Sequence, residues 1–295
     1  MNKLTKISTY PVLKDDDHLL QITGSRGGIR VYKRPGSKQP LWSVTTILHS
    51  SVAKPALAPW SNKQGRLAVE ETLAPHVDKV LTREVLDRAL EYAQKRPRET
   101  STVAADVGSV IHDLVSAYII TGKAPHPEML QANPLVLTAW QSFREFERDY
   151  EPMWVASEFA CFSQHWGYAG SVDALAKIDG KYAVIDFKTG AGLYPEYAMQ
   201  AAAYSNALST PLMIHERADP MEWEPWEEIV PYVIRLGKES QEYEARAVTH
   251  PDTALEGFLS ALRMWQTLGI SSLSKTAQKE IREHLELPEQ LPVLW

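Results

Sequence analysis

The residues richest in chemical possibility fall in one stretch, 170–188, which reads GSVDALAKIDGKYAVIDFK. Asp179-Gly180, set between two alternating runs, is the two-residue turn of a type I′ hairpin. That turn pairs Ile178 with Lys181, which puts Asp173 directly opposite Asp186 on the face that also carries Lys188. Opposed residues on neighbouring strands have Cβ atoms about 4.5–5.5 Å apart, and like charges there repel. Two devices would retain such a pair: a shared proton, or a divalent cation between the oxygens. With the Lys188 ammonium one pleat further along, the set could hold Mg²⁺ and orient a water against a phosphodiester. An open sheet face with ordinary surface charges accounts for the same letters, and a one-residue slip would separate the pair.

Other residues could join this group, each with a plain structural alternative. Gly108 and His112 lie one helical turn apart; a glycine there costs about 1 kcal/mol relative to alanine and marks a close approach. His112 would face whatever approaches, although a lone histidine often serves only as a structural hydrogen-bonder. Gln200 and Tyr204 are an i, i+4 pair on an alanine-rich helix that can lie close to a sheet. They could equally cap that sheet. Glu158 is a carboxylate among apolar neighbours in a strand over 155–162, either a further ligand or an outward-facing residue.

These side chains need a scaffold of both helices and strands. Residues 1–42 read as strands and turns, with Ser43 as N-cap of a helix over 44–49 and breaks at Pro55 and Pro59. Helices are expected over 61–72, 82–95 and from Ser101 or Thr102 to Gly122, the last with an apolar stripe at Val103, Val107, Val110, Ile111, Leu114 and Tyr118. A helix over 135–150, strands over 154–189, a helix over 195–208, a strand pair over 232–236 and 243–248, and a helix over 253–268 complete the order. This is α/β in content but of the α+β type: a mixed central sheet flanked by helices, with a helical N-terminal region. The expected divisions are a basic N-terminal region over 1–100, a core over 101–268 and a tail over 269–295.

Composition bounds the partners. The 295 residues are 44% hydrophobic and 23% charged, enough for a sizeable core. No run of about 18 apolar residues suggests a membrane span, and the first residues lack the apolar region of a signal peptide; a cytoplasmic protein without membrane contact is the expectation. The lone Cys161 leaves no disulfide framework, cysteine zinc site or iron–sulfur cluster held by its own thiols. Net charge is −6, yet residues 1–66 hold eleven Lys and Arg against three Asp, a net +8 on an otherwise acidic chain. Such asymmetry fits a surface that meets a polyanion, or a solvated basic arm.

Taken together, G108-x3-H112, E158, G170-x2-D173, D186-F-K188 and Q200-x3-Y204 resemble the PD-(D/E)XK nuclease superfamily, in its RecB-type branch. The S43-V-T-T-I-L48 segment, followed by a helix with Trp60, is similar to the N-terminal part of the mitochondrial genome maintenance exonucleases and their phage and bacterial relatives. The resemblance implies a restriction-endonuclease-like core that cuts DNA with Mg²⁺ or Mn²⁺. It implies Asp173 and Asp186 as metal carboxylates, His112 and the Phe187 carbonyl as further ligands, and Glu158 in a less constant ligand position. Lys188 would position or activate the water and neutralise the transition state, with Gln200 and Tyr204 orienting its surroundings or the DNA backbone. The exonuclease relatives thread single strands under N-terminal helices, which here carry Lys54, Trp60, Lys63 and Arg66 as DNA-binding candidates. A helicase, recombinase or single-strand-binding protein would be a natural partner.

The same core also suits a duplex-end recombination exonuclease or a structure-specific endonuclease. A non-catalytic DNA-binding scaffold, or a protein-binding domain with its tryptophans (Trp223 and Trp226 among them) as an interface, are readings from other classes.

Overall fold

A computed structural model of the chain describes residues 21–24, 30–33, 40–209 and 228–269. The segment around Glu222–Glu228, apart from Glu228 itself, and nearly all of the tail over 269–295 lie outside the described residues. So do Lys3, Lys6, Lys14, Arg26, Arg34 and Lys38 of the basic N-terminal quarter.

The fold is α+β. Eight strands form one mixed sheet: β1 (Gln21–Gly24), β2 (Arg30–Lys33), β3 (Pro40–Ser43), β4 (Met153–Ser163), β5 (Tyr168–Ile178), β6 (Lys181–Lys188), β7 (Ile229–Leu236) and β8 (Tyr243–Ala247). The order runs β1-β2-β3-β5-β6-β7-β8, with β4 on the other edge of β5. The helices are α1 (Val44–Ser51), α2 (Leu57–Leu73), α3 (Arg83–Thr121), α4 (Pro127–Gln131), α5 (Pro134–Tyr150), α6 (Pro195–Leu208) and α7 (Pro251–Met264).

The hairpin has the register its turn dictates. Ile178 pairs with Lys181, and the ladder runs back to Ala174 opposite Ile185. Asp179 and Gly180 have φ of 50° and 79°, the left-handed pair that a type I′ turn demands. Pairing stops one step before Asp173 and Asp186, because β5 changes neighbour there. Beyond that point the same edge of β5 takes β3 in parallel, Trp42 against Tyr168 and Ser43 against Ala169. A fork therefore opens in the sheet at the level of the two aspartates.

Both faces of the hairpin are covered, so the open charged face considered from sequence is not what forms. On one face Leu175, Tyr182 and Val184 join α1, α6 and α7 in a core that includes Phe159, Cys161, Tyr168, Tyr204, Phe258 and Trp265. On the other face Phe187 meets Phe143 and Phe146 of α5 and Trp154 of β4 edge-on or tilted.

The chain divides into two compact units, Ala53–Val110 and the remainder. The first 52 residues belong with the sheet rather than with a separate N-terminal region, since β3 hydrogen-bonds directly to β5. In the Ala53–Val110 unit, two expected boundaries also fall elsewhere. Pro59 sits in the first turn of α2, where a missing N–H costs nothing. Pro97 lies inside a continuous 39-residue α3, so Ser101 and Thr102 cap nothing. A proline penalty of about 3 kcal/mol is local, and the apolar positions Ala89 and Val107 on either side of it are buried. By length and composition α3 is the one described helix long and apolar enough to cross a membrane; its Ile111, Leu114, Val115 and Ile119 are buried within the fold.

Candidate active site

Three carboxylates come from three neighbouring strands at one level. The β4–β5 ladder pairs Ser157 with Ala174 and Phe159 with Val172, which sets Glu158 across from Asp173. Glu158 itself does not pair: its φ is 48°, a left-handed residue inside a strand. For a residue with a Cβ that conformation costs about 1–2 kcal/mol, and strain of this kind gathers at functional sites.

Each group released by the broken ladder finds a replacement. The Asp173 carbonyl accepts from Ser157 Oγ at 2.7 Å, and its Oδ2 accepts the Phe187 N–H at 2.7 Å. Phe187, expected to lend its carbonyl, thus meets Asp173 through its N–H. Ser171 Oγ donates to Glu158 Oε2 at 3.3 Å. His112, on the part of α3 that belongs with the sheet, has Nδ1 3.5 Å from Asp173 Oδ2. One ligand atom each from His112, Glu158 and Asp173 lie within 4.8 Å of one another.

Asp186 is arranged differently. It is 1% exposed, and its Oδ1 accepts from Lys188 Nζ at 2.9 Å and Gln200 Nε2 at 2.8 Å. Its Oδ2 is buried and, apart from the ammonium 2.7 Å away, has no hydrogen-bond partner among the described residues. Gln200 Nε2 also donates to Tyr204 Oη at 3.0 Å, and its Oε1 accepts from Lys188 at 3.3 Å. Gln200 and Tyr204 therefore hold the Asp186–Lys188 pair against α6. Gly170 is what lets Tyr204 lie there: a Cβ on it would come within 2.4 Å of the Tyr204 ring.

Burial and mutual repulsion set the electrostatics. Burial, then the neighbouring Asp173, push Glu158 up to about 6. Burial also drives Asp173 and Asp186 well above the carboxylate range, against the pull of Lys188. Burial works to lower the Lys188 pKa, but Asp186 and then Asp173 outweigh it, and the amine stays protonated more firmly than usual. His112 is lowered by burial and by Lys188, which keeps its ring neutral and able to donate a lone pair.

Glu158, Ser171, Asp173, Asp186, Lys188, Gln200 and Tyr204 line a cavity of ≈ 230 Å³ at the fork, closed on its other side by Arg30, Tyr32, Ser43 and Thr45; His112 adjoins it through Asp173. Sequence reasoning missed Arg30, Tyr32, Ser171 and Ser157. Only the S43-V-T-T segment pointed to this wall, where Ser43 Oγ and Thr45 Oγ1 share a hydrogen bond at 2.8 Å.

One imidazole, a buried carboxylate oxygen whose only neighbouring donor among the described residues is the Lys188 ammonium, and two further raised carboxylates make a donor set suited to a divalent cation. His112, Glu158 and Asp173 would hold it, with Asp186 adjoining and ion-paired to Lys188. The expected DNA-binding residues Lys54, Trp60, Lys63 and Arg66 all lie in the other unit, Lys63 and Arg66 exposed and Trp60 half-buried. That unit carries nine basic against eight acidic residues, so most of the N-terminal positive excess comes from outside it. No protein-family model matches the chain, and no curated protein matches it.

Proposed function

We propose that the chain is a metal-dependent deoxyribonuclease of the PD-(D/E)XK type, hydrolysing phosphodiester bonds with Mg²⁺ or Mn²⁺ and acting on single-stranded DNA with a free end. The observation that carries this reading is the convergence of His112, Glu158 and Asp173 beside a buried Asp186–Lys188 pair, with both aspartates, Glu158 and Lys188 lining one cavity. A purely structural cluster would have little reason to gather three carboxylates, one of them fully buried, whose pKa values rise as a result.

A bound divalent cation would supply Lewis acidity at a phosphoryl oxygen and a more acidic water. The chain's own groups divide the remaining work. Lys188 keeps its proton on Nζ, so it serves as a charged donor to a phosphoryl oxygen rather than as a base. Asp186 and Gln200 fix the direction of that amine through the bonds given above. Arg30, on the opposite wall, supplies a further positive charge toward a phosphate in the cavity.

The test follows end-labelled linear single strands, single-stranded circles and blunt duplex with Mg²⁺, Mn²⁺ or EDTA. Loss of the linear strand alone, and only with metal, is expected. Cleavage of circles at the same rate would replace the end-requiring mode by an endonuclease. No cleavage of any of the three would overturn the reading in favour of a scaffold.

A further inference from the structure

Resting on the nuclease reading above, we propose that Tyr194 and Tyr197 form the seat of an unpaired nucleobase beside the phosphate under attack. The two rings stand at the start of α6, where Tyr194 is the N-cap and Pro195 fixes the first turn. Their centroids are 5.5 Å apart with planes at 78°, an edge-to-face pair. Lys188 Nζ lies 4.9 Å from the Tyr197 ring centroid. One aromatic ring is thus in direct contact with the ammonium of the active site, and the next ring leads outward from it.

Tyr194 is 41% exposed, and among the described residues of the sheet-bearing unit it is the aromatic ring in the group of exposed large apolar side chains. The bare ring gives a flat apolar surface joined to Lys188 through Tyr197. The connection 189–193 keeps the approach open. A Cβ at Gly192 would meet nothing within 4 Å, and one at Gly190 only the Tyr197 hydroxyl at 3.9 Å and the Gly192 carbonyl at 4.0 Å.

A phosphate near Lys188 carries its own base at about one nucleotide's reach, which is the span from the ammonium across these two rings. Every base has a π-face, so a stacking seat is tolerant of sequence. A base in the interior of a duplex has both faces covered by its stack and must leave the stack to take the seat. The pair therefore selects single-stranded DNA at the catalytic unit itself, independently of Lys54, Trp60, Lys63 and Arg66 in the other unit.

The test measures binding of fluorescent oligothymidylate and of blunt duplex in EDTA, for the full wild-type chain, Tyr194→Ala and Tyr194→Phe. Thermal melts confirm that each variant is folded, which the exposure of Tyr194 leads one to expect. Tyr194→Ala should weaken single-strand binding about tenfold to a hundredfold, Tyr194→Phe should restore it, and duplex binding should not change. A terminal 2-aminopurine should lose fluorescence on wild type and keep it on Tyr194→Ala. Wild-type affinity in Tyr194→Ala, with metal-dependent cutting intact, would remove the seat and leave the nuclease reading standing. Equal weakening for single strand and duplex would also remove it. Wild-type protein that neither binds nor cuts DNA would overturn both.

Discussion

Glu158 joins two costs in one residue: a left-handed backbone and a carboxylate pushed up to about 6 by burial and by Asp173. If it is kept for a cation, removing both costs should harm function without harming the fold. Glu158→Gly is expected to melt no lower than wild type, since glycine adopts this φ freely, while Mn²⁺ affinity by titration calorimetry falls about tenfold or more. A fall in melting temperature with unchanged Mn²⁺ affinity would make Glu158 structural. The raised carboxylates also give a pH dependence whose sign is fixed. Without metal the native state holds more protons than the unfolded chain between the ordinary carboxylate range and about 6, so these groups withdraw stability as pH rises through that window. A cation displaces those protons. The rise in melting temperature produced by Mn²⁺ should therefore be small at pH 5 and larger at pH 7.5; a shift independent of pH would place the ion elsewhere.

The elements place these residues through two devices, a fork and a clamp. Between β3 and β6, the edge of β5 opens, and the donors stand where the ladder ends. The clamp is Glu147 of α5, buried, whose Oε1 accepts from Trp154 Nε1 of β4 at 3.0 Å and whose Oε2 accepts from Tyr118 Oη of α3 at 3.1 Å and from Arg144. Trp154 lies four residues before Glu158 and Tyr118 six after His112, so the clamp ties together the two elements that bring those ligands. Glu147→Ala leaves the buried Trp154 Nε1–H without an acceptor, at about 1–3 kcal/mol, and should lower the denaturant midpoint with m unchanged. Glu147→Gln should recover part of that loss; a neutral Ala variant would contradict the clamp. Much of this scale was legible in the sequence. Asp179-Gly180 fixed the hairpin register because its turn type admits no other, and the alanine-rich α6 has the bounds its pattern suggested. The fork was not legible, because β3 joins β5 across more than a hundred residues by backbone bonds that leave no mark on side-chain pattern. Nor was the clamp, since Glu147 reads as one more charge on a helix face. The expected gap between 95 and 101 is absent for a related reason: Pro97 falls inside α3, and burial on both sides keeps the helix whole.

At the scale of the whole molecule, the acidic cavity and the residues Lys63 and Arg66 belong to different units. Both of those side chains are exposed, with Arg66 loosely paired to Glu70 at 3.8 Å. If they touch the DNA backbone, each alanine substitution should flatten the dependence of log affinity on log salt by about 0.7 for a single strand. The turnover of bound substrate should not change. An unaltered slope would make the Ala53–Val110 unit a bystander in DNA binding. The reading of the molecule as an enzyme depends most on Lys188, which lines the cavity and is ion-paired to Asp186. The most direct measurement compares wild type with Lys188→Ala on a labelled linear single strand, with Mn²⁺ and with EDTA, at matched folding. Metal-dependent cutting by wild type and a loss of about a hundredfold or more in Lys188→Ala is the expected result. Equal cutting by the two proteins, or none by wild type, would contradict the account.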